Sequence, residues 1–327
     1  IPYHHGIGPN GVTARALMKL GVATERWTDI TPEKGPPLPR SGSDGLPLAR
    51  QHPGTIGVST FNHWSPVDTV WRSIDDGKTW MNITAKSVRD VSATPFLRWG
   101  GKEAKLGWWM AAFAIDPFDS NHAVYATGAT VFATQDFSNV NKDEPTHWFP
   151  WVKGIEQTAV LRLISPTKGA HLISGFGDIG GFVHEDLGVS PPAMFENPQF
   201  TNTTSLDYAG EDPSVIVRSG RPADGQAAFG YSEDGGRTWH PMIIPSDARR
   251  EPSRRDYWRT ASAIVVSADG KTFIVMASTP IFTHDHGKTW TKASGLPEDS
   301  RVVADRVDPG AFYALDFATG KFYTSTD

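Results

Sequence analysis

The hydrophobic positions of this chain fall into short runs that alternate with polar positions, and the runs are cut by Asp-Pro and Asp-Gly turns. Ala114-Ile115-Asp116-Pro117 leads to Ala123-Val124-Tyr125-Ala126. Ile264-Val265-Val266 leads to Phe273-Ile274-Val275-Met276, and Arg306-Val307-Asp308-Pro309 leads to Phe312-Tyr313-Ala314. A period of two sends successive side chains to opposite faces, which is the pattern of strands, and the turn residues between them bend the backbone at little cost. Six such units begin near Leu46, Ala111, Leu161, Leu206, Thr260 and Arg301, and a partial unit at the start ends in Trp27-Thr28-Asp29-Ile30-Thr31. The step of roughly 40 to 65 residues is the size of a propeller blade. The best helical stripe, Thr13 to Leu20, is short. The predicted fold class is therefore all-β, a series of β-propeller blades.

One phrase punctuates the series. Ser73-Ile74-Asp75-Asp76-Gly77-Lys78-Thr79-Trp80 returns as Ser232-Glu233-Asp234-Gly235-Gly236-Arg237-Thr238-Trp239 and as Thr283-His284-Asp285-His286-Gly287-Lys288-Thr289-Trp290. Ser325-Thr326-Asp327 reads as a fourth copy cut short. Thr134-Gln135-Asp136 and His184-Glu185-Asp186 are degenerate relatives. This is the Asp-box of several propeller families. Its Asp is expected to accept backbone N–H bonds inside a hairpin turn, its Gly to take a positive φ, and its Trp to fill the space between adjacent sheets. Asp75, Asp234 and Asp285 are thus expected to be turn residues, and Trp80, Trp239 and Trp290 core residues.

Composition narrows the function classes. The 327 residues carry a net charge of -5 with both signs mixed, which argues against a nucleic-acid surface. The one basic run, Arg249 to Arg259, is interrupted by acids and reads as a solvated loop between blades. No apolar run is long enough to span a bilayer. Cys is absent, which removes disulfides, thiolate metal sites and thiol nucleophiles, and the 11 His show no ligand spacing, so neither a metal nor a cofactor is expected. With 32 Gly, 25 Pro and 12 Trp, turns and flat aromatic surfaces are plentiful. The chain starts at Ile1 with no leader pattern and stops inside a repeat, so it reads as an interior fragment.

Candidate chemistry sits mid-chain. Leu172-Ile173-Ser174-Gly175-Phe176 delivers Gly177-Asp178-Ile179-Gly180-Gly181-Phe182-Val183-His184, one carboxylate among glycines that permit a sharp bend and a close approach. The same phrase also suits a tight hairpin with a solvated Asp. Apolar neighbours Phe176, Ile179 and Phe182 would raise the carboxyl pKa by desolvation, which makes the turn a reasonable place for acid/base chemistry.

Between the boxes, several phrases resemble those of the xyloglucanases of glycoside hydrolase family 74. They are Trp27-Thr28-Asp29-Ile30-Thr31-Pro32, then Asn62-His63-Trp64-Ser65-Pro66 with Val70-Trp71-Arg72-Ser73, and then the run from Leu106 through Trp108-Trp109-Met110 to Pro117. Tyr125 to Thr130, Gly154 to Val160, the Gly-Asp-Ile-Gly-Gly-Phe phrase itself and Ser205-Leu206-Asp207-Tyr208-Ala209-Gly210 continue the match, which runs from about Gly6 to the end.

The resemblance implies two tandem seven-bladed propellers, with a cleft between them for a branched glucan and one catalytic Asp from each. Residues 1–155 would be closing blades of the first propeller and 156–327 opening blades of the second. Asp178 matches the general acid of an inverting hydrolysis. The family's base lies in an Arg-Thr-Asp-x-Gly-Gly phrase that this chain lacks, so the chain alone is expected to be inactive. Trp64, Trp108 and Trp109 lie outside the Asp-boxes and are candidates either for sugar platforms or for core packing. Some members have tandem tryptophans where this chain has Trp64-Ser65, which leaves processive action in question. Tyr208, Gly180 and Gly181 are further candidates for substrate contact. Asn62, His63 and His184 read more readily as loop residues, and Asp116 and Asp207 as structural acids. The implied protein is a secreted monomer acting on xyloglucan or a related β-glucan. The alternatives are a non-catalytic Asp-box propeller that binds a partner, or a sialidase, although Arg72, Arg98, Arg162, Arg218 and Arg259 lack a sialidase-like context.

Overall fold

The computed structural model describes residues 1–6, 11–12, 14–32, 42–63, 67–97, 107, 109–154, 158–223, 225–248, 262–297 and 300–325. These form β-strands in seven small sheets, with short 3-10 turns and no α-helix among the described residues. Contacts divide the chain into two compact units, Ile1–Thr94 with Glu103–Thr158, and Pro95–Lys102 with Ala159–Asp327.

The first unit holds three sheets. β1 (Pro2–His5), β2 (Ala14–Gly21) and β3 (Arg26–Asp29) form one, so the short helical stripe expected over Thr13 to Leu20 is a strand from Ala14 on, Thr13 lying outside the described residues. β4 (Gly42–Asp44), β5 (Ile56–Phe61), β6 (Val70–Ser73) and β7 (Met81–Asn82) form an antiparallel meander. β8 (Ser87–Arg89) joins β9 (Ala112–Ile115), β10 (Ala123–Ala126), β11 (Val131–Thr134) and β12 (Thr146–Pro150) in the order β8-β12-β11-β10-β9, with β8 parallel to β12.

The second unit holds four antiparallel sheets. β13 (Val160–Ile164), β14 (Leu172–Phe176) and β15 (Gly181–His184) are followed by β16 (Phe200–Tyr208), β17 (Ile216–Pro222), β18 (Phe229–Ser232) and β19 (His240–Met242). β20 (Ile264–Val266), β21 (Phe273–Val275), β22 (Ile281–Thr283) and β23 (Thr291–Lys292) come next, then β24 (Arg301–Ala304), β25 (Phe312–Leu315) and β26 (Phe322–Ser325). Each sheet is a sequential up-and-down meander, the arrangement of a propeller blade.

Alternation along a strand decides which neighbour each side chain meets. In β20, Ile264 and Val266 join a core with Val217, Phe229 and Met242 of the preceding sheet. Val265, between them, joins Val302, Phe312 and Ala314 of the following one. β21 divides in the same way, with Phe273 and Val275 in one core and Ile274 in the other. Both faces are covered, which is why these strands read as continuous apolar runs.

The turns of the Asp-boxes form as expected, but of the three tryptophans expected in the core only Trp239 is buried, while Trp80 and Trp290 are half-buried. Ser73 Oγ donates to Asp75 Oδ1 at 2.8 Å and accepts the Gly77 N–H at 2.9 Å, while Asp75 accepts the Thr79 N–H at 2.9 Å and the Thr79 hydroxyl at 2.7 Å. The other two boxes repeat this around Asp234 and Asp285. Gly77, Gly236 and Gly287 have φ of 83°, 88° and 85°. The absent Cβ also lets each turn sit on the preceding sheet: a Cβ on Gly77 would lie 2.7 Å from Ile30, and one on Gly287 would lie 3.2 Å from Met242. Trp80 and Trp290 complete the dock by donating Nε1–H to the carbonyls of Ile30 and Ile243 at 2.8 and 3.0 Å. Thr326 and Asp327 of the fourth copy lie outside the described residues, as does the basic run from Arg249 to Arg259.

Candidate active site

Asp178 stands at the tip of the hairpin joining β14 to β15. Pairing of Gly175 with Gly181 leaves a tip of few residues, closed by the Phe176 N–H on the Gly180 carbonyl at 2.7 Å. Within it the Ile179 N–H reaches the Gly177 carbonyl at 2.8 Å, and Asp178 takes φ 67°. That is a γ-turn with positive φ at a residue bearing a Cβ, a rare and strained geometry. Gly180 and Gly181 are required by sterics. Gly180 has φ 71° and a Cβ there would meet the Phe200 carbonyl at 3.0 Å; a Cβ on Gly181 would lie 2.2 Å from the Ser174 carbonyl and 2.7 Å from the Phe195 ring. Gly177 is buried and bonded to the Ala159 carbonyl of the neighbouring segment at 2.9 Å.

The half-buried Asp178 carboxyl has an environment unlike that of the box acids. Burial pushes its pKa up, and the charge of Arg221 opposes that. Among the described residues none donates a hydrogen bond to its carboxyl oxygens; the bond at this residue runs from its backbone N–H to Asn202 Oδ1 at 3.0 Å. Ile179 is buried, and the Phe182 ring stands 5.6 Å from Phe176 and 6.1 Å, edge-on, from Phe96. By contrast, hydrogen bonds from Thr79 hold the Asp75 carboxyl down at about 2, and those from Thr289 hold Asp285 well below the carboxylate range. An acid whose charged form is solvated by four donors stays ionised; one that is desolvated and undonated keeps its proton to higher pH.

The other candidates are distributed as follows. Trp64 and Trp108 lie outside the described residues. Trp109, in the first unit, is half-buried with φ 63°, and its N–H points to Asp68 Oδ2 at 2.5 Å. Tyr208 ends β16, and the Arg306 guanidinium covers its ring at 4.4 Å. Asp207 is buried, ion-paired to Arg306 at 2.5 Å and bonded to the Val266 N–H at 2.9 Å, so it ties three successive sheets together. Asp116 caps its own turn by accepting the Phe118 N–H at 2.8 Å. His184 contacts Ser174 Oγ through Nε2 at 2.8 Å, and burial lowers its pKa. Asn62 and His63 are buried, Asn62 with φ 60°.

Asp68, Asn202 and Arg221 are further residues that pattern reading does not single out. Asp68 is buried and accepts from the His63 N–H at 2.9 Å, the Met110 N–H at 3.3 Å, Thr60 Oγ1 at 3.2 Å and Trp109. One carboxylate thereby ties the segment after β5 to the segment before β9. Burial outweighs those donors and pushes its pKa up to about 6. The only sequence signal was a lone acid between two aromatic-rich phrases. Among the described residues no cluster of three His, Cys, Asp or Glu side chains is placed to hold a metal, and no helix is long and apolar enough to cross a membrane.

No family model matches the chain. Individual proteins do. A xyloglucanase of Paenibacillus sp. is 36% identical over 354 residues, covering 100% of this chain and 33% of that protein. Xyloglucanase Xgh74A of Acetivibrio thermocellus is 34% identical over 353 residues, covering 100% of this chain and 40% of its own length. An oligoxyloglucan-reducing end-specific xyloglucanase of Emericella nidulans is 31% identical over 395 residues, with 100% of this chain and 48% of that protein covered. Among solved structures, the GH74 xyloglucanase of Xanthomonas campestris aligns with TM-score 0.82 at 34% identity, over 98% of this chain and 44% of that one. The GH74 enzyme of Niastella koreensis aligns with TM-score 0.72 at 26% identity over 98% and 44%. The chain spans between a third and a half of the length of the curated relatives it matches.

Proposed function

We propose that the chain belongs with the xyloglucanases of glycoside hydrolase family 74, to which it is similar over its whole length, and that the complete protein hydrolyses the β-1,4-glucan backbone of xyloglucan. Asp178 is the general acid in this reading. The observation that carries it is the contrast among the aspartates: the box acids are saturated with donors, whereas Asp178 is desolvated, takes no donor from the described residues and is set on a strained turn. Such an acid protonates the glycosidic oxygen as the bond to the leaving sugar breaks. An inverting partner base activates water on the opposite face, with roughly 6.5–9.5 Å between the two carboxyls. This chain has no Arg-Thr-Asp-x-Gly-Gly phrase to supply that base, so the isolated chain is proposed to be inactive. Trp64, Trp108 and Trp109 are the proposed sugar contacts, since aromatic faces suit pyranose rings, whereas the Tyr208 ring is already covered by Arg306. A polymeric plant glucan as substrate implies a secreted enzyme, and nothing in the proposed chemistry requires a second copy of the chain.

The reading is tested with the complete protein on xyloglucan, following product size and the anomeric configuration of the first products by proton NMR. Internal cleavage with inversion gives an early fall in viscosity and α-configured new reducing ends. β-Configured products would overturn the inverting assignment. Slow release of short products from one end would replace internal cleavage with the end-specific action named for the Emericella nidulans relative. No release at all would favour a binding propeller.

A further inference from the structure

The Asp178 turn is strained, and a strained turn persists where its surroundings over-determine it. Three bonds from other segments do so here. The Gly177 N–H donates to the Ala159 carbonyl at 2.9 Å, and the Gly180 N–H to the Thr201 carbonyl at 3.1 Å. Both acceptors are main chain, so their side chains are not what matters. The third bond depends on a side chain: Asn202 Oδ1 takes the Asp178 N–H itself at 3.0 Å. Asn202 is 2% exposed and its backbone bridges Gly180, so the amide has little freedom to turn away. Its partner across β16 and β17 is Arg221, whose charge acts on Asp178. The other groups facing the turn from β16 and from the segment before β13, namely Asn202, Thr201 and Ala159, are neutral.

We propose that Asn202 is the positioning residue of Asp178: its amide oxygen fixes the γ-turn that keeps the carboxyl half-buried, and Arg221, directly across the sheet, supplies the opposing charge. The two residues act on one group by different means. Asn202 sets where the carboxyl sits and hence how dry it is. Arg221 favours its ionised form, so that the acid can still lose its proton. The activity arm below rests on the reading of Asp178 as general acid; the titration arm does not.

The test is a carbon-13 NMR titration of the Asp178 side-chain carboxyl in the complete protein, in wild type, Asn202→Ala, Asn202→Asp and Arg221→Gln. Asn202→Ala releases the turn, and Asp178 titrates lower, toward the ordinary carboxyl range. Asn202→Asp keeps an acceptor oxygen for the Asp178 N–H but adds a negative charge, so Asp178 titrates higher. Arg221→Gln also moves it higher, by removing the cation. On xyloglucan, Asn202→Ala in the complete protein loses on the order of 100-fold in kcat with KM little changed, the scale of a misplaced catalytic group. Asn202→Asp recovers part of that loss.

An unchanged Asp178 titration in folded Asn202→Ala overturns the proposal, even if the variant melts at a lower temperature. Should Asn202→Ala not fold, unchanged titrations in both Asn202→Asp and Arg221→Gln overturn it. If the titrations move as stated while Asp178→Asn still hydrolyses xyloglucan, the positioning role stands and the general-acid reading fails.

Discussion

At the scale of the residue, aspartates in one chain do opposite things because their surroundings differ. Asp75 is held down at about 2 by donors from Thr79 and Ser73. Its folded pKa lies below its unfolded one, so its contribution to stability is present above about pH 4 and is lost as pH falls toward 2. Asp68 has the reverse sign. Its pKa rises from 3.8 to about 6 because burial outweighs four donors. The folded chain then binds the proton more tightly than the unfolded one, so stability is greatest below pH 4 and declines as pH rises through 6. The decline amounts to on the order of 3 kcal/mol for this residue. Urea unfolding followed from pH 4 to 7 should show the slope, and Asp68→Ala should make it shallower; an unchanged slope would assign it elsewhere. None of this could be read from the residue types. The glycines around Asp178 announced a sharp turn, but its γ geometry is imposed by Asn202 and by main-chain acceptors that are distant in sequence.

At the scale of the element, the blade is a local object and was correspondingly legible. The six units expected near Leu46, Ala111, Leu161, Leu206, Thr260 and Arg301 correspond to the sheets that contain β4, β9, β13, β16, β20 and β24, apart from an early start of β16 at Phe200 and the addition of β8, at Ser87–Arg89, to the sheet of β9. The partial unit ending near Thr31 is the sheet of β1 to β3. Alternation and turn chemistry act over a few residues, so they survive in sequence. What joins blades is less visible. Arg218, which the sequence showed only as one of several arginines without a sialidase-like context, is fully buried with its guanidinium 4.3 Å from the ring centres of Phe200 and Trp239 and 4.9 Å from Phe195. Its Nη2 donates to the carbonyls of Glu196 and Pro198, at 3.1 and 2.5 Å. The cation is thus held by dipoles and ring faces between two sheets. Trp239 is the buried box tryptophan of this set, whereas Trp80 and Trp290 are partly open. Trp239→Ala should therefore cost about 3–5 kcal/mol in chemical denaturation, and Trp80→Ala clearly less. Equal losses would mean that burial does not set what a box tryptophan contributes.

At the scale of the whole molecule, relationship carries what local physics cannot. Alternating strands and Asp-boxes establish blades, but a blade serves hydrolases and binding proteins alike. The phrases between the boxes pointed to one family, and whole-length similarity to its xyloglucanases agrees with them. The chemistry proposed for Asp178 then depends on a separation of labour among aspartates that differ only in context. The most direct measurement is reducing-end release from xyloglucan by the complete protein carrying Asp178→Asn, set beside Asp234→Asn, with thermal unfolding of both. Asp178→Asn should lose on the order of 100-fold or more of activity, the scale of general acid catalysis, with its melting temperature held. Asp234→Asn should melt earlier yet keep its turnover per folded molecule. Full activity in Asp178→Asn, or a loss confined to Asp234→Asn, would contradict the assignment and move the acid to another residue.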